Sequence, residues 1–343
     1  MRPGALLLAA LVACQAPAAP ASRAPASTAG AAIPAATTVP PSPASTTSVA
    51  AAPAPTIPAV TRWRRIADIP TPRSEVTAAV AAGRIYIIGG LAGGAVVERY
   101  DPTTDTWDRA PSLPLGIDHA MAAAHADVVY VFGGYTPAGP SARAFRYRPG
   151  SDRWDELPPM PGRRAAAAAV AIGNAIHVVG GTDGERLTAS TWSYDVLANT
   201  WRSGAAIPTP RDHLAAVDLA GRVCAVAGRR LSHTSNLATL ECYEPAADRW
   251  SKLADAPTVR GGVGAAVVGG TRLVLLGGEV PAGTSREVEI YDALTNTWSR
   301  GPDLPTPRHG IGTVAIGATV YVMTGGPLPF ESKTAVCEAL DLR

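Results

Sequence analysis

Apolar and polar positions along the chain fall into three regimes. Ala5–Ala13 (ALLLAALVA) is an unbroken apolar run behind a single charge, Arg2. Residues 15–60 are nearly all Ala, Pro, Ser, Thr and Val, with Arg23 the one charge and no aromatic residue. From Thr61 to Arg343, short apolar stretches alternate with turn residues. In the first full unit, Ser74–Ala82 is apolar and small, Arg84–Gly90 (RIYIIGG) is rich in β-formers, Val96–Asp101 alternates, and Thr106–Ala110 carries a tryptophan. Alternation over runs of about 4–8 residues, bounded by Gly, Pro, Asn and Asp, predicts four strands in that unit.

The unit recurs. Trp63, Trp107, Trp154, Trp201, Trp250 and Trp298 follow one another at 44 to 49 residues. Tyr100, Tyr147, Tyr194, Tyr243 and Tyr291 each stand seven residues before one of them. A glycine pair recurs at Gly89-Gly90, Gly133-Gly134, Gly180-Gly181 and Gly277-Gly278, and decays to Ala227-Gly228 and Thr324-Gly325. A PTPR turn stands at 70–73, 208–211 and 305–308. Four short strands every ~40–50 residues predict the blades of a β-propeller. Alone, Ala165–Ala169 looks helical, but the repeat register makes it a first strand, where strands converge on an axis and only small side chains fit.

The glycine pair, tyrosine and tryptophan in this order resemble the Kelch repeat family, over about Thr61 to Arg343. The resemblance implies an all-β, six-bladed propeller. The strand around Trp63 opens the domain without its first three partners, and the last copy stops at Leu340-Asp341, in register with Tyr291-Asp292. Pairing these two ends closes the last blade and removes the free sheet edges that template aggregation. The Tyr and Trp side chains are expected to pack between blades.

The N-terminal apolar run is too short to span a bilayer and reads as a signal-peptide core. It ends Leu11-Val12-Ala13-Cys14, resembling a bacterial lipobox. Residues 1–14 are therefore expected to be a lipoprotein signal ending at the lipidated Cys14, with plain secretion the alternative. Residues 15–60 read as a disordered, proline-stiffened tether. The expected location is the extracytoplasmic bacterial envelope, with lipid at Cys14 as the only anchor. A net charge of +2 with 17% charged residues gives no electrostatic case for nucleic acid, and a monomer is expected.

Chemistry-bearing residues are few. Cys224 and Cys242 lie on strands that pair through the 229–236 hairpin; facing positions would allow a disulfide, and a one-residue slip would remove it. Cys337 takes an apolar position, and no cysteine spacing suits zinc. An arginine recurs before each first strand at Arg73, Arg164, Arg211, Arg260 and Arg308, with Ile117 in the second unit. These are a candidate ligand-binding rim for a carboxylate or acidic sugar, or else staples between neighbouring loops. His119, His213 and His309, with Glu75 and Asp212, break the repeat symmetry beside them. They join the candidate rim, or are simply loop-bonding residues. No metal, cofactor or catalytic residue is assigned, and no nucleotide-binding, nucleophile-elbow or HExxH motif occurs. The expectation is a non-enzymatic, envelope-anchored module for an unidentified protein or glycan partner. Its partner surface is sought on the loops Tyr135–Ser141, Arg229–Asn236 and Glu279–Arg286, which differ most among copies. The alternative is a carbohydrate-active enzyme, because the chain is similar in blade number and export to bacterial N-acetylneuraminate epimerases.

Overall fold

A computed structural model describes residues 60–342. Residues 1–59, which hold the expected signal segment with Cys14 and all but the last residue of the expected tether, lie outside the described residues. Six four-stranded antiparallel sheets follow one another around a central axis. Blade 1 runs Thr77–Ala81, Arg84–Ile88, Val97–Asp101 and Thr106–Arg109, from the axis outward. Blade 2 begins with Met121–His125, blade 3 with Ala168–Ile172, blade 4 with Ala215–Leu219, blade 5 with Gly264–Val268 and blade 6 with Gly312–Ile316. The outermost strand of blade 6 is Val60–Ile66, which pairs antiparallel with Cys337–Leu342. The ring thus closes through the strand around Trp63.

Six hydrophobic clusters fill the fold, one between each pair of adjacent blades. Each landmark tryptophan stands at such an interface and ties it with a hydrogen bond. Trp107 Nε1 donates to Ala67 O at 2.8 Å, Trp154 to Pro111 O at 2.8 Å, and Trp298 to Ala254 O at 2.8 Å. Trp63 does the same across the closure, to Pro302 O at 3.0 Å. The landmark tyrosines pack against these indoles, with ring centroids 5.2 to 5.4 Å apart. Glycine at the second-strand exit has a steric cause: Gly90 sits at φ 96°, and a Cβ there would lie 2.5 Å from Ser74 O.

The strand boundaries of blade 1 differ from the sequence reading by one to three residues, most at the start of the innermost strand. The innermost strand of blade 1 starts at Thr77, not Ser74, because Glu75 adopts φ 52° and interrupts the extended backbone. That interruption recurs in every blade and builds the site described next.

Candidate functional site

The residue two places after each recurrent arginine, or after Ile117, is left-handed in all six blades: Glu75, His119, Ala166, His213, Gly262 and Gly310 have φ between 49° and 65°. The bend turns each backbone across the axis, so successive blades bond to one another. His119 N–H donates to Glu75 O (2.9 Å), Ala166 to His119 (2.9 Å), His213 to Ala166 (2.8 Å), Gly262 to His213 (2.8 Å) and Gly310 to Gly262 (3.0 Å). Val76 N–H to Gly310 O at 3.4 Å completes the girdle. It rims a cavity of about 80 Å³ at the axial mouth, lined by Glu75, His119 and His213 with small and aliphatic residues below.

Each polar side chain at this mouth is held from behind. His119 Nδ1 lies 2.6 Å from Asp118 Oδ1, and its Nε2 lies 3.2 Å from Glu75 Oε2. His213 Nδ1 lies 3.0 Å from Asp212 Oδ2, and its Nε2 accepts from Arg229 Nη2 at 2.7 Å. His309 Nδ1 meets Glu75 Oε1 at 3.0 Å, while its Nε2 lies 3.0 Å from Leu328 O. Arg229 Nη1 also meets Glu279 Oε2 at 2.6 Å. Gly310 has to be glycine, because a Cβ would stand 2.6 Å from Glu75 Oε1.

Electrostatics follow from this crowding. Burial works against ionised Glu75, but His119, the hydrogen bond with His309, and His213 outweigh it and hold its carboxyl well below the usual range. Burial likewise opposes a proton on His119 and on His309; Glu75 and Asp118 raise the first, and Glu75 and Glu279 raise the second. On His213 burial prevails and lowers the pKa, with Asp212 opposing.

The arginines behave differently from the rim reading. Arg73, Arg164, Arg211, Arg260 and Arg308 are each fully buried. Arg211 meets Glu241, Arg260 meets Glu289 and Arg308 meets Glu338 at 2.5 to 2.7 Å, and Arg73 meets Glu98 at 3.1 Å. Further donors go to backbone carbonyls, as where Arg211 bonds Ala227 O, Thr209 O and Ala225 O, while Arg73 Nε, Arg260 Nε and Arg164 Nε and Nη2 are buried without a partner. Threonines of the preceding turns (Thr71, Thr209, Thr258 and Thr306) donate to the same glutamates at 2.6 to 2.9 Å, which gives the PTPR turn its purpose. Arg164 lacks a glutamate and stacks 3.6 Å over the Trp192 ring. The five arginines are therefore removed from the candidate rim; no guanidinium among them is left to reach a ligand. His119, His213 and His309 do come together at the mouth.

Above the mouth, the loops between second and third strands crowd in. Leu231 and Phe330 are bulky residues at φ 59° and 67°. Leu231 N–H is fixed on Asp212 Oδ1 at 3.0 Å and Phe330 N–H on Glu279 Oε1 at 2.9 Å. Their side chains stand 52% and 67% exposed, with Leu328 at 66%. Elsewhere, Cys224 and Cys242 pair directly across two strands of blade 4 and are joined by a disulfide; Cys337 is free and buried.

The model of the KLHDC2/KLHL20/DRC7 Kelch-repeats domain matches residues 59–206 and 158–326, well over half of the chain. The protein belongs to the Kelch-repeat family. Among curated proteins it is similar to an N-acetylneuraminate epimerase of Haemophilus influenzae, 34% identical over 83 residues (21% of this chain, 22% of that protein). It is also similar to Beta-scruin of Limulus polyphemus, 32% identical over 81 residues (22% and 9%), and to Kelch-like protein 35 of Homo sapiens, 34% over 80 residues (22% and 14%). The chain covers less than a quarter of the length of these relatives.

Within this Kelch propeller, two columns of the repeat supply the mouth. One is the left-handed position, occupied by Glu75, His119 and His213. The other directly follows the glycine exit and carries Arg229 and Glu279 in blades 4 and 5. The two are brought together by bridges between Asp212 and Arg229 and between Gly261 and Glu279. Sequence reasoning missed Asp118, Arg229 and Glu279. Aligning all six copies on the glycine pair and reading the next residue exposes the last two as charged departures from Leu91, Tyr135, Thr182 and Gly326.

Proposed function

We propose that this Kelch propeller is a binding module that receives a protein partner on its mouth-bearing face, held at the envelope by lipid at Cys14. The observation that carries the reading is the pair Leu231 and Phe330. A bulky residue in the left-handed region is strained by roughly 1–3 kcal/mol and persists only where its surroundings impose it. Here two buried carboxylates impose it, and the result is two apolar side chains pointed at water beside a polar cavity. Variable loops on a rigid scaffold suit recognition. The envelope location rests on the lipobox-like end at Cys14 and the tether composition.

The test is differential capture. Full-length protein, cross-linked in its host envelope, is compared with a Leu231→Ser, Leu328→Ser, Phe330→Ser variant. A second variant, Leu197→Ser with Leu294→Ser, alters exposed leucines in third-to-fourth strand hairpins, at the opposite end of the blades. A partner held by wild type and the second variant but lost from the first supports the reading. Equal capture by all three overturns it.

The enzyme alternative keeps one specific support, the 34% identity over 83 residues to an N-acetylneuraminate epimerase. It loses the argument from an arginine-lined funnel, since those arginines are buried and Arg229, at the mouth, is paired with Glu279. Proton NMR of N-acetylneuraminate anomers with the purified protein decides it: accelerated interconversion revives the alternative, and an unchanged rate removes it.

A further inference from the structure

We propose that Glu75, His119 and His213 form a binding site for a divalent transition-metal ion at the axial mouth of the propeller, with an open coordination position facing solvent. This goes beyond partner docking and does not depend on it. One ligand atom from each of the three side chains lies within 4.8 Å of the other two. Zinc bonds to nitrogen and oxygen are about 2.0–2.2 Å long, so a tetrahedral ion holds its ligands roughly 3.3–3.5 Å apart, and closing the set needs movements of about an ångström. Two imidazoles and one carboxylate favour zinc, cobalt or nickel over magnesium or calcium, which prefer oxygen.

A second, independent feature points the same way. Metal-bound histidines commonly donate their other ring N–H to a carboxylate, which fixes the tautomer and aims the free nitrogen. Both histidines carry that device, built from the residue just before them: Asp118 behind His119 Nδ1 at 2.6 Å, and Asp212 behind His213 Nδ1 at 3.0 Å. Glu75 is held in turn by His309 at 3.0 Å. This leaves the Nε2 atoms as the ligands: His213 Nε2 already accepts from Arg229, and His119 Nε2, 3.2 Å from Glu75 Oε2, becomes an acceptor when the ion displaces its proton. The three remaining girdle positions are Ala166, Gly262 and Gly310, which bring nothing larger than a methyl group into the girdle. Arg229 occupies the His213 lone pair at 2.7 Å. An arriving ion displaces it, and Glu279, its partner at 2.6 Å, retains the guanidinium.

The test is a Co²⁺ titration of the metal-free full-length chain. The expected result is saturation at one ion per chain, with the intense visible bands of a four- or five-coordinate site and displacement by Zn²⁺. Glu75→Gln and His213→Asn each weaken Co²⁺ binding at least tenfold, and Asp212→Asn weakens it about tenfold through loss of the orienting carboxylate. His125→Gln, at the far end of the innermost strand of blade 2, leaves it unchanged. No saturable band, unchanged affinity in the ligand variants, or equal loss in His125→Gln overturns the proposal. Wild-type crystals soaked in Zn²⁺ answer independently of variant folding. An anomalous peak between Glu75, His119 and His213 supports the site; a peak only elsewhere, or none, overturns it.

Discussion

His177 occupies the middle of the second strand of blade 3, where blades 1, 2 and 6 carry Tyr86, Tyr130 and Tyr321. It is 3% exposed, shares a hydrogen bond with Ser193 Oγ at 2.7 Å, and meets the Tyr243 ring edge-on. Burial pushes its pKa down to about 4. The unfolded chain, with histidine near ~6.5, therefore binds more protons than the folded one between those values. Stability is undiminished above that window and falls as pH drops through it, by at most about 3 kcal/mol from this residue. Urea midpoints measured from neutral pH downward should show His177→Tyr losing less stability than wild type. Equal losses in both proteins would show that His177 carries none of the acid sensitivity. The mouth residues teach a complementary lesson. Glu75, His119 and His213 stood out in the sequence as departures from the repeat, but nothing in their spacing announces that one backbone bend aims all three at the same axis.

At the scale of the blade, the buried arginine–glutamate pair is the repeated tie. The chain contains its own substitution experiment, because blade 2 has Ile117 where the arginine stands and Phe145 where the glutamate stands, both buried. Removing one member of a buried pair strands a charge and costs roughly 3–5 kcal/mol, whereas replacing both by apolar groups is often near neutral. Arg260→Ile and Glu289→Phe should each lower stability by that amount. The double variant should recover most of the loss, giving a large favourable coupling in a double-mutant cycle read by urea unfolding. Additive losses would sink this account of the pair. The pairing was legible in principle: Glu98, Glu241 and Glu289 stand two residues before a landmark tyrosine, and Glu338 two before Leu340 in the same register. Read singly, the arginines suggested a ligand rim. Residue type shows charge, and only packing shows that the charge is already neutralised.

For the whole molecule, closure is the decisive event. Val60–Ile66 completes blade 6, and Trp63 reaches from it to Pro302 in the next interface. Truncating that half-buried indole removes its packing and its hydrogen bond at a joint formed by opposite ends of the domain. Trp63→Ala should cost roughly 2–3 kcal/mol in thermal or urea unfolding. Deleting residues 1–66 should go further, leaving Cys337–Leu342 as an open edge that self-associates in sedimentation or light scattering. A monomeric deletion protein that melts like wild type would contradict ring closure as the source of stability. The sequence by itself determined the number of blades, their order and the closing strand, since each blade's strands are local and repeat the same hydrophobic pattern. It also marked which residues depart from that pattern. Only the tertiary structure decided what those departures do. The girdle joins residues from six blades that are far apart in sequence, and whether a side chain faces the mouth or is buried in its own blade depends on backbone bends and partners that no local pattern encodes.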